Sequence, residues 1–147
     1  MFYFKKAESS HLSQISEYEQ KNFPDTCYSL KQLEDMFGKS DYSFLVALEK
    51  ETENVVGYLI AQVSEGMVDI FKIFVKEEYR RCKIATSLLR YIIGQNLKSD
   101  IILEVAETNT SAISFYLKHN FKIVAKRNGY YKNGVDALIM LKEQYEK

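Results

Sequence analysis

The chain alternates between stretches of helical period and short apolar runs. Phe2–Ala7 reads as a short strand. Across Glu8–Asn22, Leu12, Ile15 and Tyr18 recur three apart, which predicts an amphipathic helix with Ser10 as a plausible cap. Phe23-Pro24-Asp25-Thr26 breaks it, because the residue before a proline avoids the helical region. Ser29–Phe37, carrying Leu30, Leu33, Met36 and Phe37, predicts a second short helix ending at Gly38. The period then changes. Tyr42–Leu48 and Val55–Val63 are β-rich runs joined by the polar Glu49–Asn54 turn, a hairpin pattern, and Met67–Val75 adds a third strand. Ile84, Ala85, Leu88, Leu89, Ile92 and Ile93 form the apolar stripe of another helix. Ile101–Ala106 is a buried strand by composition, Thr110–His119 a helix, and Phe121–Ala125 and Val135–Leu141 the last strands. Asn120 sits at a helix end that often needs left-handed backbone, where Asn is second only to Gly.

The order β-α-α-β-β-β-α-β-α-β-β predicts an α/β (α+β) fold with a mixed sheet, antiparallel early, and one strand–helix–strand crossover in the middle. No repeat, linker or low-complexity stretch divides the 147 residues, so residues 1–147 read as one domain. A folded monomer of this length buries roughly 69% of its unfolded surface, enough for a self-supporting core. Lys+Arg and Asp+Glu both number 20. That balance disfavours nucleic acid as the main partner, since phosphate binding normally shows as a basic excess or stripe. Cys27 and Cys82 make no disulfide framework, and with two histidines they make no four-ligand metal set. No apolar run approaches the roughly 20 residues of a membrane span, and Met1–Lys6 lacks a signal-peptide layout. The expectation is a cytoplasmic domain, monomer or weak dimer, without metal or membrane.

Three features carry candidate chemistry. Tyr79–Thr86 joins a strand to the strongly amphipathic helix. Backbone N–H groups at a helix start lack internal partners, so this turn suits an anion, and Arg80, Arg81 and Lys83 deepen the potential; a solvated basic loop has the same pattern. Glu104 interrupts the apolar run Ile101–Ala106 and shares a strand face with Ile102 and Ala106. If that face is covered, desolvation raises its carboxyl toward the range of a general base; otherwise Glu104 merely points to water near the strand end. Tyr116 falls on one side of its helix with Ala112 and Phe115, either as a core aromatic or as a phenol reaching the cleft beside Glu104.

Taken together these segments resemble the GCN5-related N-acetyltransferase (GNAT) family over nearly the whole chain. The family's turn, Arg/Gln-x-x-Gly-x-Gly/Ala after a strand, is similar to Arg80-x-x-Lys83-x-Ala85 after Phe71–Val75. The resemblance implies a mostly antiparallel seven-stranded sheet with about four helices. It also implies acetyl-CoA as cosubstrate, with its pyrophosphate on the amides of Arg80, Arg81, Cys82, Lys83, Ile84, Ala85 and Thr86. Its pantetheine arm would follow Ile73, Phe74 and Val75. Glu104–Tyr116 is similar to the second half of that site, where Asn109 contacts the cofactor and Tyr116 lies beside its sulfur. Within the family the chain looks most like the RimI type, which acetylates the N-terminal alanine of a small-subunit ribosomal protein. Phe23-Pro24, Leu103-Glu104-Val105, and Arg127–Tyr131 followed by Asp136–Met140 carry that likeness. Two positions depart: Lys83 replaces the first glycine of the turn, and Ala106 stands where relatives often have Arg. If position 83 needs positive φ, lysine costs on the order of 1 kcal/mol, offset in part by pairing with phosphate. Cys82 reads as a small turn residue.

The implied reaction is acyl transfer from a thioester to a neutral amine. A peptide α-amine has a pKa of about 7.7–8.0 against about 10.4 for lysine, a difference of roughly 3.4 kcal/mol in proton-transfer demand. Glu104 is expected as base, through a water, and Tyr116 as acid to the CoA thiolate, with a strand N–H near Ile73 or Phe74 steadying the oxyanion. Phe23, Tyr28, Tyr130 and Tyr131 are candidate walls of a peptide slot, with plain aromatic packing as the other reading. Two alternatives stay open: a small-molecule amine as acceptor, and a CoA-binding module without catalysis.

Overall fold

Phe2–Lys6 (β1) leads into a 3-10 turn, Ser9–His11, and helices Leu12–Asn22 (α1) and Leu30–Phe37 (α2). Strands Tyr42–Glu49 (β2), Val55–Ser64 (β3) and Met67–Val75 (β4) follow, then a 3-10 segment, Glu77–Cys82, and helix Ile84–Gly94 (α3). Asp100–Ala106 (β5), helix Thr110–Lys118 (α4), Lys122–Arg127 (β6) and Ala137–Lys142 (β7) complete the computed structural model, which describes residues 1–131 and 133–144. One seven-stranded sheet results, in the order β1-β2-β3-β4-β5-β7-β6. Every adjacent pair is antiparallel except β4 with β5, the two strands joined through α3.

β2 and β3 each carry an unbroken run of buried residues, Phe44–Leu48 and Val55–Ala61, so both sheet faces need cover. On one face α1 and α2 bring Leu12, Ile15 and Leu33 onto Phe44, Tyr58, Ile60 and Phe74. On the other, Ile84, Leu88, Leu89 and Ile92 of α3 and Tyr116 of α4 close over Leu59, Ile70, Leu103 and Met140. Gly57 lets α3 approach β3. A Cβ there would meet Ile84 Cγ2 and the Phe74 carbonyl oxygen at 3.1 Å each.

Several boundaries differ from the sequence pattern. The first helix opens as the 3-10 turn Ser9–His11, and Ser10 lies inside that turn. The capping work falls to Glu8 and His11, whose side chains bond each other's backbone. Ser29 caps α2 by accepting from the Gln32 N–H at 3.1 Å, leaving Leu30 as its first helical residue. β1 stops at Lys6, β6 starts at Lys122 and β7 at Ala137. Asn120 does adopt φ 69°.

Two irregularities position the site. β4 and β5 pair only from Met67/Asp100 to Ile70/Leu103 and have no ladder beyond. Within the β3–β4 ladder Ile60 opposes Lys72 while Ala61 opposes Ile70, so Phe71 is an extra, bulged residue where the two strands part. Among the described residues no helix is long and apolar enough to cross a membrane, and no cluster of His, Cys, Asp and Glu could hold a metal.

Candidate functional site

The parting of β4 from β5 opens a cleft of about 910 Å³ whose lining comes from both faces of the sheet. Ala112 and Tyr116 of α4 border it on one side; Phe23 and Tyr28, from the segment between α1 and α2, border it on the other. Asp69 and Glu104 contribute carboxylates from the two diverging strands, and Tyr130 and Tyr131 close the end formed by the β6–β7 connection.

The alternation of β5 sends Ile101, Leu103 and Val105 into the core under α3 and α4 and leaves Ile102, Glu104 and Ala106 on the opposite face. That face is open at Glu104. Its side chain is 31% exposed and pairs with Arg127 of β6, Oε1 to Nη2 at 3.4 Å. Of the two readings open for Glu104, the structure shows the uncovered one: Glu104 lines the cleft as a solvent-facing ion-pair member. Arg127 also lies 5.2 Å from the ring centroid of Tyr130, which is 50% exposed and packs edge-on against Tyr131.

Tyr116 is 8% exposed, packed edge-to-face against Phe115 and Phe121. Burial alone raises its phenol far above the usual value, so the hydroxyl keeps its proton throughout the neutral range. No described residue bonds that hydroxyl, and it faces the cleft. The core and cleft readings of Tyr116 both hold.

Phe23 and Tyr28 are anchored by a buried charge. Glu19 of α1 is fully buried; it accepts from the Tyr58 hydroxyl at 2.5 Å and the Tyr28 N–H at 3.2 Å, and pairs with Lys72 Nζ at 3.3 Å. Lys72 of β4 also donates to the Thr26 carbonyl and hydroxyl, and its ammonium sits 3.7 Å from the Phe23 ring centroid. Burial lowers the Lys72 pKa and the Glu19 charge opposes that shift. Burial, then Glu19, pushes the Tyr28 phenol up to about 12. This network ties the Phe23–Tyr28 wall to the floor of the cleft.

Sequence reasoning missed Asp69 and Lys72. Asp69 carries the same signal that singled out Glu104, one acid inside an apolar strand, and it is half-buried in the cleft. Burial first, and the Glu104 charge second, hold its carboxyl above the usual carboxylate range.

The basic turn lies at the far end of β4, outside the cleft lining. Arg80, Arg81 and Cys82 belong to the 3-10 segment, and Arg80 is turned back, Nε donating to the Val75 carbonyl at 3.1 Å. Lys83 has φ 60° and ψ 26°, left-handed backbone that disfavours side chains by roughly 1–2 kcal/mol. It supplies no side-chain cap to α3, so the first-turn amides of Ile84, Ala85 and Thr86 remain available to an anion. Of the strand residues expected to follow a cofactor arm, Ile73 lines the cleft. The Phe74 ring packs among Tyr18, Phe23 and Tyr58 on the opposite face, which leaves its backbone as what it can offer. Asn109 lines the cleft and caps α4, its Oδ1 accepting from the Ala112 N–H at 3.2 Å. Its side-chain NH₂ is the group it can offer a ligand.

A family model described as "Acetyltransferase (GNAT) family" matches residues 10–121. An N-alpha-acetyltransferase of Saccharolobus solfataricus is 31% identical over 156 aligned positions, covering 95% of this chain and 91% of that protein. The ribosomal-protein-S18-alanine N-acetyltransferase from Escherichia coli superposes with a TM-score of 0.88 at 24% identity, covering 100% of this chain and 96% of that one. NAA60 of Arabidopsis thaliana, solved with a bisubstrate analogue, superposes at 0.87 and 20% identity, covering 97% of each chain. The same protein has also been solved in complex with acetyl-CoA.

Proposed function

The chain belongs to the GNAT acetyltransferase family, and from that premise we propose that it transfers acetyl from acetyl-CoA to the N-terminal α-amine of a protein. The observation that carries this reading is the cleft through the β4–β5 gap. It has an amine-side floor of carboxylates on the α1–α2 face and a neutral buried phenol on the α3–α4 face. Two substrates entering from opposite faces meet at the bulge of Phe71, and direct transfer in a ternary complex follows. Holding thioester and amine together supplies most of the rate.

This reading assigns each role to a residue of the turn or the cleft. The amides at Arg81–Thr86 hold the pyrophosphate, Ile73–Val75 and Asn109 guide the pantetheine arm, and acetyl-CoA supplies the activated acetyl group. Glu104 accepts a proton from the acceptor amine through a water, and Tyr116 donates one to the departing thiolate. Phe23, Tyr28, Tyr130 and Tyr131 wall the peptide slot. The E. coli likeness favours an N-terminal alanine of a ribosomal protein as acceptor.

The test is radiolabelled acetyl transfer onto a short peptide beginning with Ala, beside the same peptide blocked at its N-terminus. Labelling of the free peptide alone is expected. Equal labelling of both transfers the reading to lysine, and labelling of neither favours a small-molecule amine or a silent CoA-binding module.

A further inference from the structure

We propose that Asp69 is a second proton-accepting residue of the acceptor site, taking one of the two protons that an arriving ammonium must lose while Glu104 takes the other. The inference rests on the N-terminal acetylation reading and deepens it. An α-amine arrives largely as R–NH₃⁺ and leaves as the secondary amide R–NH–CO–CH₃, so nitrogen gives up two protons. One departs before attack, freeing the electron pair that forms the C–N bond. The second departs from nitrogen once that bond exists. The C–S bond then breaks with its electron pair on sulfur, and the thiolate takes a proton from Tyr116. Of the two protons shed, one restores Tyr116 and one goes to solvent.

The first proton is the hard one, because a free ammonium is a weak acid, of pKa about 7.7–8.0. It calls for a carboxylate of raised basicity. Asp69 fits by position and environment. It lies on β4 opposite Ile102, where β4 and β5 are still paired, on the strand face that Glu104 takes two residues further along β5; it feels the Glu104 charge and is half-buried in the cleft. No described residue hydrogen-bonds it or pairs with it. The cations nearby are committed: Lys72, on the same strand, to Glu19 and Thr26, and Arg127, on β6, to Glu104. The other titratable groups on the same cleft are Asp25 and Tyr28, from the α1–α2 segment, Tyr116 of α4, and Tyr130 and Tyr131, from the β6–β7 connection. A shielded carboxylate with no cation of its own is satisfied by an incoming ammonium, and its raised pKa narrows the gap to the amine. Glu104, open to solvent and held by Arg127, suits the second proton, which leaves a nitrogen already acidified by its new bond to carbon.

Asp69→Asn keeps shape and size. With the Ala-first peptide, kcat/KM at about pH 6.5 should fall roughly 100-fold. It should recover to within about threefold of wild type near pH 9, where the amine is already neutral. KM for acetyl-CoA should stay within about twofold, since Asp69 lies on the amine side. In the protein alone, the Asp69 carboxyl followed by carbon-13 NMR should titrate above the ordinary Asp range, and Glu104→Gln should lower its midpoint. An unchanged profile, a loss equal at every pH, or a midpoint indifferent to Glu104→Gln overturns the inference. Failure of the underlying reading looks different: wild-type protein would then leave the free peptide unlabelled.

Discussion

Lys83 supplies the sharpest test of how the turn before α3 is built. Its φ of 60° places a β-carbon in left-handed backbone, at a cost of roughly 1–2 kcal/mol. Lys83→Ala keeps that cost and removes the charge; Lys83→Gly removes both. Glycine regains flexibility in the unfolded chain, which takes back about 0.5–1 kcal/mol. The two variants should therefore differ by about 0.5–1 kcal/mol, with Gly the more stable. For a domain of this length that is a Tm difference of about 1–4 °C, and urea unfolding should show a shifted midpoint at constant slope. The acetyl-CoA readout separates charge from strain. If the ammonium pairs with phosphate, both variants should raise KM for acetyl-CoA by a similar factor, about two- to fivefold. That factor should shrink in high salt. Lys83→Ala matching or exceeding Lys83→Gly in stability refutes the strain argument. Unchanged KM in both refutes the phosphate role while leaving the backbone argument standing.

Four further outcomes follow from named contacts. Glu104→Gln should lower kcat roughly 100-fold at neutral pH and recover as pH rises, and Tyr116→Phe should slow turnover at every pH while acetyl-CoA binding by calorimetry is retained; full activity in either removes that residue from its role. Lys72→Met leaves Glu19 as an uncompensated buried charge and should cost about 3–5 kcal/mol in chemical unfolding, whereas a cost under 1 kcal/mol would show the pair is not holding the Phe23–Tyr28 wall. Gly57→Ala drives a methyl to 3.1 Å from Ile84 Cγ2 and the Phe74 carbonyl, so about 1–3 kcal/mol of stability should go, together with acetyl-CoA affinity as α3 shifts; a neutral variant would mean the helix start is free to move.

Most elements were legible because apolar period is local: Leu12-Ile15-Tyr18 and Ile84-Leu88-Ile92 announce helices wherever they fold. Pairing is not local. Nothing in Lys122–Arg127 or Ala137–Lys142 says that β7 inserts between β5 and β6, since that order is fixed by tertiary contacts. The bulge at Phe71 was equally silent, although it marks where the strands part. Lys83 was legible as a conflict, a lysine where the family turn has glycine, and its backbone bears the conflict out. Glu104 and Asp69 are the instructive pair. Each is a lone acid in an apolar strand, and a resemblance pointed to one of them. The strand pattern fixes the face each side chain takes, but only the fold shows which face is covered. Glu104 lies open beside Arg127, while Asp69, which the sequence reading passed over, is half-buried.

The zero net charge also means something different once the residues are placed. It argued against a nucleic-acid partner, yet it conceals a separation across the molecule. The turn before α3 sets Arg80, Arg81 and Lys83 against Glu77 and Glu78 and adds uncapped amides, while Asp25, Asp69 and Glu104 line the cleft, where Lys72 is matched by Glu19 and Glu104 by Arg127. On the proposed reading, a polyanionic donor is drawn to the turn and a cationic acceptor to the cleft. Each field also disfavours the wrong occupant. Acetyl-CoA cannot easily bury its phosphates among three carboxylates, and an ammonium gains nothing at a basic turn. If the proposed reading holds, that sorting lets one gap between two strands serve both substrates without a large net charge, and both affinities should weaken with ionic strength.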